Sequence, residues 1–460
     1  MERSTSTGRS ISVGTLGSRR RRRAFAAIIA SGLFVVACGG GDDGESTDEP
    51  MTTEASGTSE APSGSDAPAT SDAPTVEDLP APTGEEMVVG LVNTEGGAGG
   101  LDFPDIRRFI EAAAEYTSAH GGLGNRPVRL ETCVAKGSPE TSQACAQELV
   151  GKNVELVVLG LDLFPDYKTF EAAGIPVIGV LPILPPDYTA NALFLTGGNA
   201  TSQAASAALA KDYFGATKVG IIHADNAGAN STAASLTTAL DKAGIAWKSV
   251  KGGDNETDAG FQALMRQAVE DDPDLLVSLY SDAGCIGTMR ARASLGITIP
   301  VISTSICADK DVIDVVGDEA TGWYFAGLAE DRDTPERALQ KRLLAPVLEV
   351  EESEVTTSSL GLGGLGYTMW MSLVDYGNKM LDEGIEMTGQ SLFDYLKSGE
   401  GLFLFGGDSP IACGSNAKYP AVCSFVFPFA MYKGDGVVGP IDDLESVTGS
   451  VLIDSSPYLP

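Results

Sequence analysis

Histidine is almost absent from this chain of 460 residues, which holds only His120 and His223. That scarcity excludes imidazole-rich metal centres and most histidine-based catalysis. Bases are also few, 31 Lys and Arg against 63 Asp and Glu, for a formal net charge of -32. Such a balance repels phosphate, so nucleic-acid binding and a basic membrane-surface role are both excluded. The sequence contains no CxxC pair for zinc, no GxxxxGK[ST] phosphate loop and no GxSxG nucleophile elbow. No cofactor and no metal site is expected. What the chain does have is a 43% share of hydrophobic residues, enough for a real core.

The first segment reads as an address. Arg3, Arg9 and the run Arg19 to Arg23 precede an apolar run over 24–37, the layout of an export signal. That run is shorter than the ~20 residues a membrane-spanning helix takes. It ends in Val35-Val36-Ala37-Cys38, which resembles the lipobox of bacterial lipoproteins, where cleavage precedes a cysteine that then receives lipid. Residues 1–37 are therefore expected to be a signal peptide and Cys38 a lipidation site. The arginine pair before Ala24 leaves both general and twin-arginine export open. Residues 38–85 are rich in Gly, Ser, Thr, Pro and Ala, carry acids and lack Lys and Arg. Such a composition buries too little apolar surface to offset chain entropy, so it is expected to be a disordered tether.

The remaining six cysteines, Cys133, Cys145, Cys285, Cys307, Cys413 and Cys423, fall in three sequence-near couples. An even count in an exported chain reads as disulfides, and the least entangled pairing joins each couple, although six cysteines admit fifteen connectivities.

From residue 87 short apolar runs alternate with amphipathic segments. Strands are predicted at 87–92, from 128, at 156–159 and at 177–181. Between them lie helices with Ile106, Phe109, Ile110, Ala113 and Ala114 on one face, then at 141–150 and 164–173. The rhythm restarts with a helix at 201–213 and strands at 219–222, around Trp247, at 275–279 and at 299–302. Interposed helices start near Ala229 and behind a Thr257 cap. Residues 359–382 read as one long helix, and 403–429 as extended strands and loops. The fold class is α/β: two lobes, each a parallel sheet sandwiched by helices, with a ligand cleft between them. Expected boundaries are 86–192 with about 331–430 for lobe 1, and 193–330 with about 431–455 for lobe 2.

Two motifs mislead. Gly361, Gly363 and Gly366 spell GxGxxG, but polar Thr356 to Ser359 precede them where a dinucleotide fold needs a strand, so close helix packing is the expected role. His223 and Asp225 lack a nucleophile placed by sequence, and His223 is expected to cap a strand end. An exported hydrolase is thereby disfavoured, and the chain is not expected to be an enzyme.

Several segments share an order with a known family. Val89-Gly90-Leu91-Val92, the turn His120 to Val128, Glu140 to Val150, Glu171 to Val180 and Asp271 to Ile297 together resemble type I periplasmic binding proteins, specifically the branched-chain amino acid and amide-type receptors of ABC importers. The resemblance implies two hinged lobes closing on a small solute, an ABC permease as partner, and a location on the outer face of the cytoplasmic membrane, held by lipid. A monomer is expected, and a sensor feeding a signalling partner is the alternative. Open parallel sheets bind ligands beyond the carboxyl ends of their strands. The candidate ligand residues there are Glu95, Phe103, Asp162, Leu181, Asn226, Tyr280, Asp282, Ser303 and Ser305. Where relatives place paired hydroxyls for an amino-acid carboxylate, this chain has Leu161-Asp162-Leu163 and Leu181-Pro182-Ile183, so the ligand is expected to be amide-like or a more apolar carboxylate.

Overall fold

A computed structural model describes residues 79–97, 102–327 and 333–460, all within the unit Ser71–Pro460. The signal peptide, Cys38 and the tether through residue 78 lie outside the described residues.

The first sheet is built from β1 (Met87–Thr94), β2 (Val128–Ala135), β3 (Leu156–Leu159), β4 (Val177–Gly179) and β5 (Leu193–Phe194), all parallel in the order β2-β1-β3-β4-β5. Its connections are helical: α1 (Pro104–Ala119), α2 (Pro139–Gly151) and α3 (Tyr167–Ala173). Strand β3 is the four-residue run Leu-Val-Val-Leu, buried throughout because helices cover both faces of the sheet. Helix α1 buries Ile106, Phe109, Ile110, Ala113, Ala114 and Thr117, the 3.6-residue stripe that its spacing predicts. Helix α2 is fixed at its start by a capping box between Ser138 and Thr141.

The chain then crosses to a second set: α4 (Asn199–Asp212), β6 (Lys218–Ala224), α5 (Ala227–Ala243), β7 (Ala246–Gly252), α6 (Asp258–Ala268), β8 (Leu275–Leu279), α7 (Asp282–Ser294), β9 (Val301–Thr304), α8 (Lys310–Val316) and β10 (Trp323–Ala326). Parallel strands β7-β6-β8-β9-β10 continue into antiparallel β13 (Val426–Gly434) and β14 (Val437–Pro440), with β15 (Leu452–Asp454) paired to β13. Asn226 caps α5 and Thr257 caps α6; Gly244, at φ 70°, ends α5 in the left-handed turn that glycine adopts freely.

Between β10 and β13 the chain returns to the first lobe as α9 (Pro335–Leu348), α10 (Thr357–Leu360), α11 (Gly363–Asp382) and α12 (Gly389–Ser398), then the short pair β11 (Leu402–Phe403) and β12 (Pro410–Ile411). The long helix expected at 359–382 is instead two helices, because Gly361 adopts a φ of 48° and breaks the spiral. The other two glycines of the GxGxxG string press α11 onto α1. A Cβ at Gly363 would lie 2.7 Å from the Phe109 ring, and one at Gly366 would lie 2.8 Å from the Ile106 carbonyl oxygen. Helix α12, within the region expected to be strands and loops, is a correction: its Leu392, Phe393 and Leu396 form a buried helical stripe.

The three disulfides join Cys133 to Cys145, Cys285 to Cys307 and Cys413 to Cys423. The first ties β2 to α2, and the second ties α7 to the turn after β9. Among the described residues no helix is long and apolar enough to cross a membrane, and no cluster of three or more metal-ligating side chains occurs.

Candidate ligand cleft

At the carboxyl edge of the first sheet, polar side chains are spent on holding loops. Asn93 is fully buried at the end of β1. Its Oδ1 accepts the Leu161 N–H at 2.9 Å, while Nδ2 donates to the Phe103 carbonyl at 2.8 Å and to Glu95 Oε1 at 3.1 Å. One amide thus stitches the ends of β1 and β3 to the start of α1. Glu95 is gripped by the Arg107 fork, Nε at 2.6 Å and Nη2 at 3.1 Å. Burial alone would raise the Glu95 pKa, yet the hydrogen bonds from Arg107 and Asn93 hold it below its usual value. Phe103 is half-buried against the first-lobe core, as is Leu181.

Two acids are buried here. Asp162, 5% exposed, accepts from Ser142 Oγ at 2.6 Å and from the Phe164 N–H at 3.1 Å. Asp187, 3% exposed, accepts from the Ile183 and Leu184 N–H groups at 2.8 and 2.7 Å, and from the Tyr167 hydroxyl at 2.8 Å. Burial raises both carboxyls above the ordinary aspartate range, and the charge of Asp187 raises Asp162 further. Together they brace the loops after β3 and β4. The second of these loops also abuts the start of α4: a Cβ at Gly198 would fall 1.6 Å from the Pro182 carbonyl oxygen, so only glycine fits.

The second sheet presents a matching edge. Asn226 is exposed, caps α5 through the Ala229 N–H at 2.8 Å and donates to Asp254 at 2.5 Å. Tyr280 turns inward, 4% exposed, its ring edge-on to Phe261 at 5.5 Å and close over Gly284. Burial, then the charges of Glu256 and Asp254, push its hydroxyl pKa up to about 12. Ser303 is 2% exposed and donates to the Ser278 carbonyl at 3.0 Å. Ser305 is half-buried and opens the short turn Ser305–Ala308. Asp282 begins α7, and its side chain lies outside the described residues. His223 is buried, with Nδ1 2.9 Å from the Ala224 carbonyl, while Asp225 is taken by Lys251 and Asn230.

Glu95, Phe103, Asp162 and Leu181 therefore gather at the carboxyl edge of one sheet, and Asn226, Tyr280, Ser303 and Ser305 at that of the other. Phe164, 38% exposed, stands free on the first edge. Sequence reasoning missed Asp187, Arg107 and two buried hydroxyls, those of Thr94 and Thr304, which have no hydrogen-bond partner. Each threonine is the last residue of a strand, β1 and β9, which is the signal that would have found them.

The family profile of periplasmic binding proteins matches residues 86–361. The chain belongs to this family. Solved structures agree on the fold of the binding protein. An ABC transporter substrate-binding protein from Sphaerobacter thermophilus superposes with a TM-score of 0.62 at 19% identity, covering 77% of this chain and 96% of the other. A leucine binding protein from Thermotoga maritima gives 0.57 at 15% identity, over 76% and 97% of the two chains. A solute binding protein of an ABC transporter from Rhodopseudomonas palustris, in complex with p-hydroxybenzoic acid, gives 0.56 at 17% identity, over 77% and 95%. No curated protein matches the chain.

Proposed function

We propose that this binding protein is the extracytoplasmic receptor of an ABC importer, capturing a small organic solute by closure of its two lobes and presenting it to a permease. The observation that carries the reading is the pairing of family membership with two parallel sheets between which the chain passes three times. Such a connection lets two rigid bodies swing about short crossings, and a ligand touching both lobes shifts the open-closed balance. The lobe division follows the sheets, with the third crossing set just before Val426, where β13 begins, rather than near residue 430. Acylation of Cys38 would tether the body to the outer face of the cytoplasmic membrane.

The ligand class is amide-like or an apolar carboxylate. Free bases are scarce at the first edge: Arg107 is engaged by Glu95 and Glu111, and Lys136 by the Glu95 carbonyl. A zwitterion's carboxylate would therefore be desolvated without a dedicated partner there, at a penalty of several kcal/mol. Phe103, Phe164 and Leu181 form the apolar wall; Asn226, Ser305 and Asp282 are the polar contacts; Asp162, Tyr280 and Ser303 support the surface from behind. The relatives that hold leucine and p-hydroxybenzoic acid set the two arms of the test. A thermal-shift screen of amino acids, amides and aromatic acids should find a solute that raises the melting temperature, since ligand at 100 times Kd adds ~2.7 kcal/mol. Absence of a shift across the set would count against solute capture. Asn226→Ala should then weaken binding and leave the unliganded melting temperature within a few degrees.

A further inference from the structure

The disulfide between Cys413 and Cys423 sits where the two lobes meet. Its cysteines, 8% and 1% exposed, belong to the first-lobe core, whereas Tyr419 and Val422 of the loop they close belong to the second-lobe core. The same loop pairs with the hinge: the Phe194 N–H donates to the Ala421 carbonyl at 2.7 Å, and the Cys423 N–H donates to the Phe194 carbonyl at 2.9 Å. Tyr419 meets the Tyr188 ring edge-on at 5.3 Å, and the Tyr188 hydroxyl accepts the Ala200 N–H, at the start of α4, at 2.9 Å. The other two disulfides each lie within one lobe.

We propose that the Cys413–Cys423 bridge is a hinge staple: it anchors a wedge loop in one lobe, seats the tip of that loop in the other, and so limits how far and how readily the lobes swing. A cross-link that closes a short loop removes alternative loop conformations. With the loop fixed, residues 421–423 stay paired to β5 and the first and third crossings move as one strip. With it open, the strip frays and the lobes lose a shared pivot. The inference rests on the closure read above, but its test needs no ligand, so the two can fail separately.

Hydrogen exchange by mass spectrometry on the full chain reads the hinge directly. In the double variant Cys413→Ser/Cys423→Ser, peptides covering 193–198 and 419–426 should exchange at least tenfold faster than in the unaltered chain, while peptides covering β1 and β8 keep their rates. Cys133→Ser/Cys145→Ser should leave the hinge peptides unchanged. Tyr419→Ala, which retains the disulfide but removes the wedge tip, should also accelerate the hinge peptides alone. Unchanged hinge exchange in the double serine variant, or equal acceleration in β1 and β8, would overturn the proposal. If that variant does not fold, Tyr419→Ala decides: acceleration confined to the hinge supports the staple, and any other pattern overturns it.

Discussion

Thr94 shows how a single residue separates stability from function. Its hydroxyl is buried with no partner, so it contributes desolvation cost and no hydrogen bond. Thr94→Val keeps the shape and removes the unpaired oxygen. It should leave stability unchanged or raise it by about 1 kcal/mol in urea unfolding; a loss of 2 kcal/mol would mean the hydroxyl has a partner. The acids at the same edge make a second prediction. Asp162 and Asp187 are raised by burial and Glu95 is lowered by Arg107, so their folded-state titrations should separate in carboxyl-carbon NMR, the aspartates above and the glutamate below their ordinary values. The signs carry into stability. The folded state holds the aspartate protons more tightly, so their contribution fades as pH rises from about 4 through their raised values; that of Glu95 is present above about 4.5 and fades as pH falls through its lowered value. Ordinary titration of all three would contradict the described burial. The strand ends were legible in the sequence because each follows a clean apolar run. The direction of the side chains there was not: Tyr280 turns inward because Gly284 leaves room for its ring, and nothing local announces that.

Elements differ in how openly they declare themselves. Strands β3 and β8 are uninterrupted buried runs, and α1 carries its stripe between a proline and a pair of glycines, so each was visible by periodicity alone. Helix α9 was not, since charged residues interrupt its apolar positions and Pro346 lies inside it. Helix α12 was hidden by its setting among glycines and phenylalanines. The GxGxxG string was read as close packing, and the contact between α11 and α1 gives it that role. Gly366→Ala should therefore destabilise the protein by about 1–3 kcal/mol, measured as a lower urea midpoint, because the added methyl meets backbone rather than a movable side chain. A neutral substitution would mean that the two helices are further apart.

At the scale of the whole molecule, charge and topology divide the work. A net charge of -32 serves solubility and turns away polyanions, while the two sheets supply the bodies that move. The proposed anchor predicts that Cys38→Ala shifts the protein from the membrane fraction to the soluble exported fraction; retention on membranes would rule out lipid at that residue as the tether. The hinged pair of lobes predicts a change of shape. Small-angle X-ray scattering of the full chain, with and without a saturating solute from the thermal-shift screen, tests this most directly. Closure predicts a smaller radius of gyration in the presence of solute; an unchanged radius at saturation would contradict it.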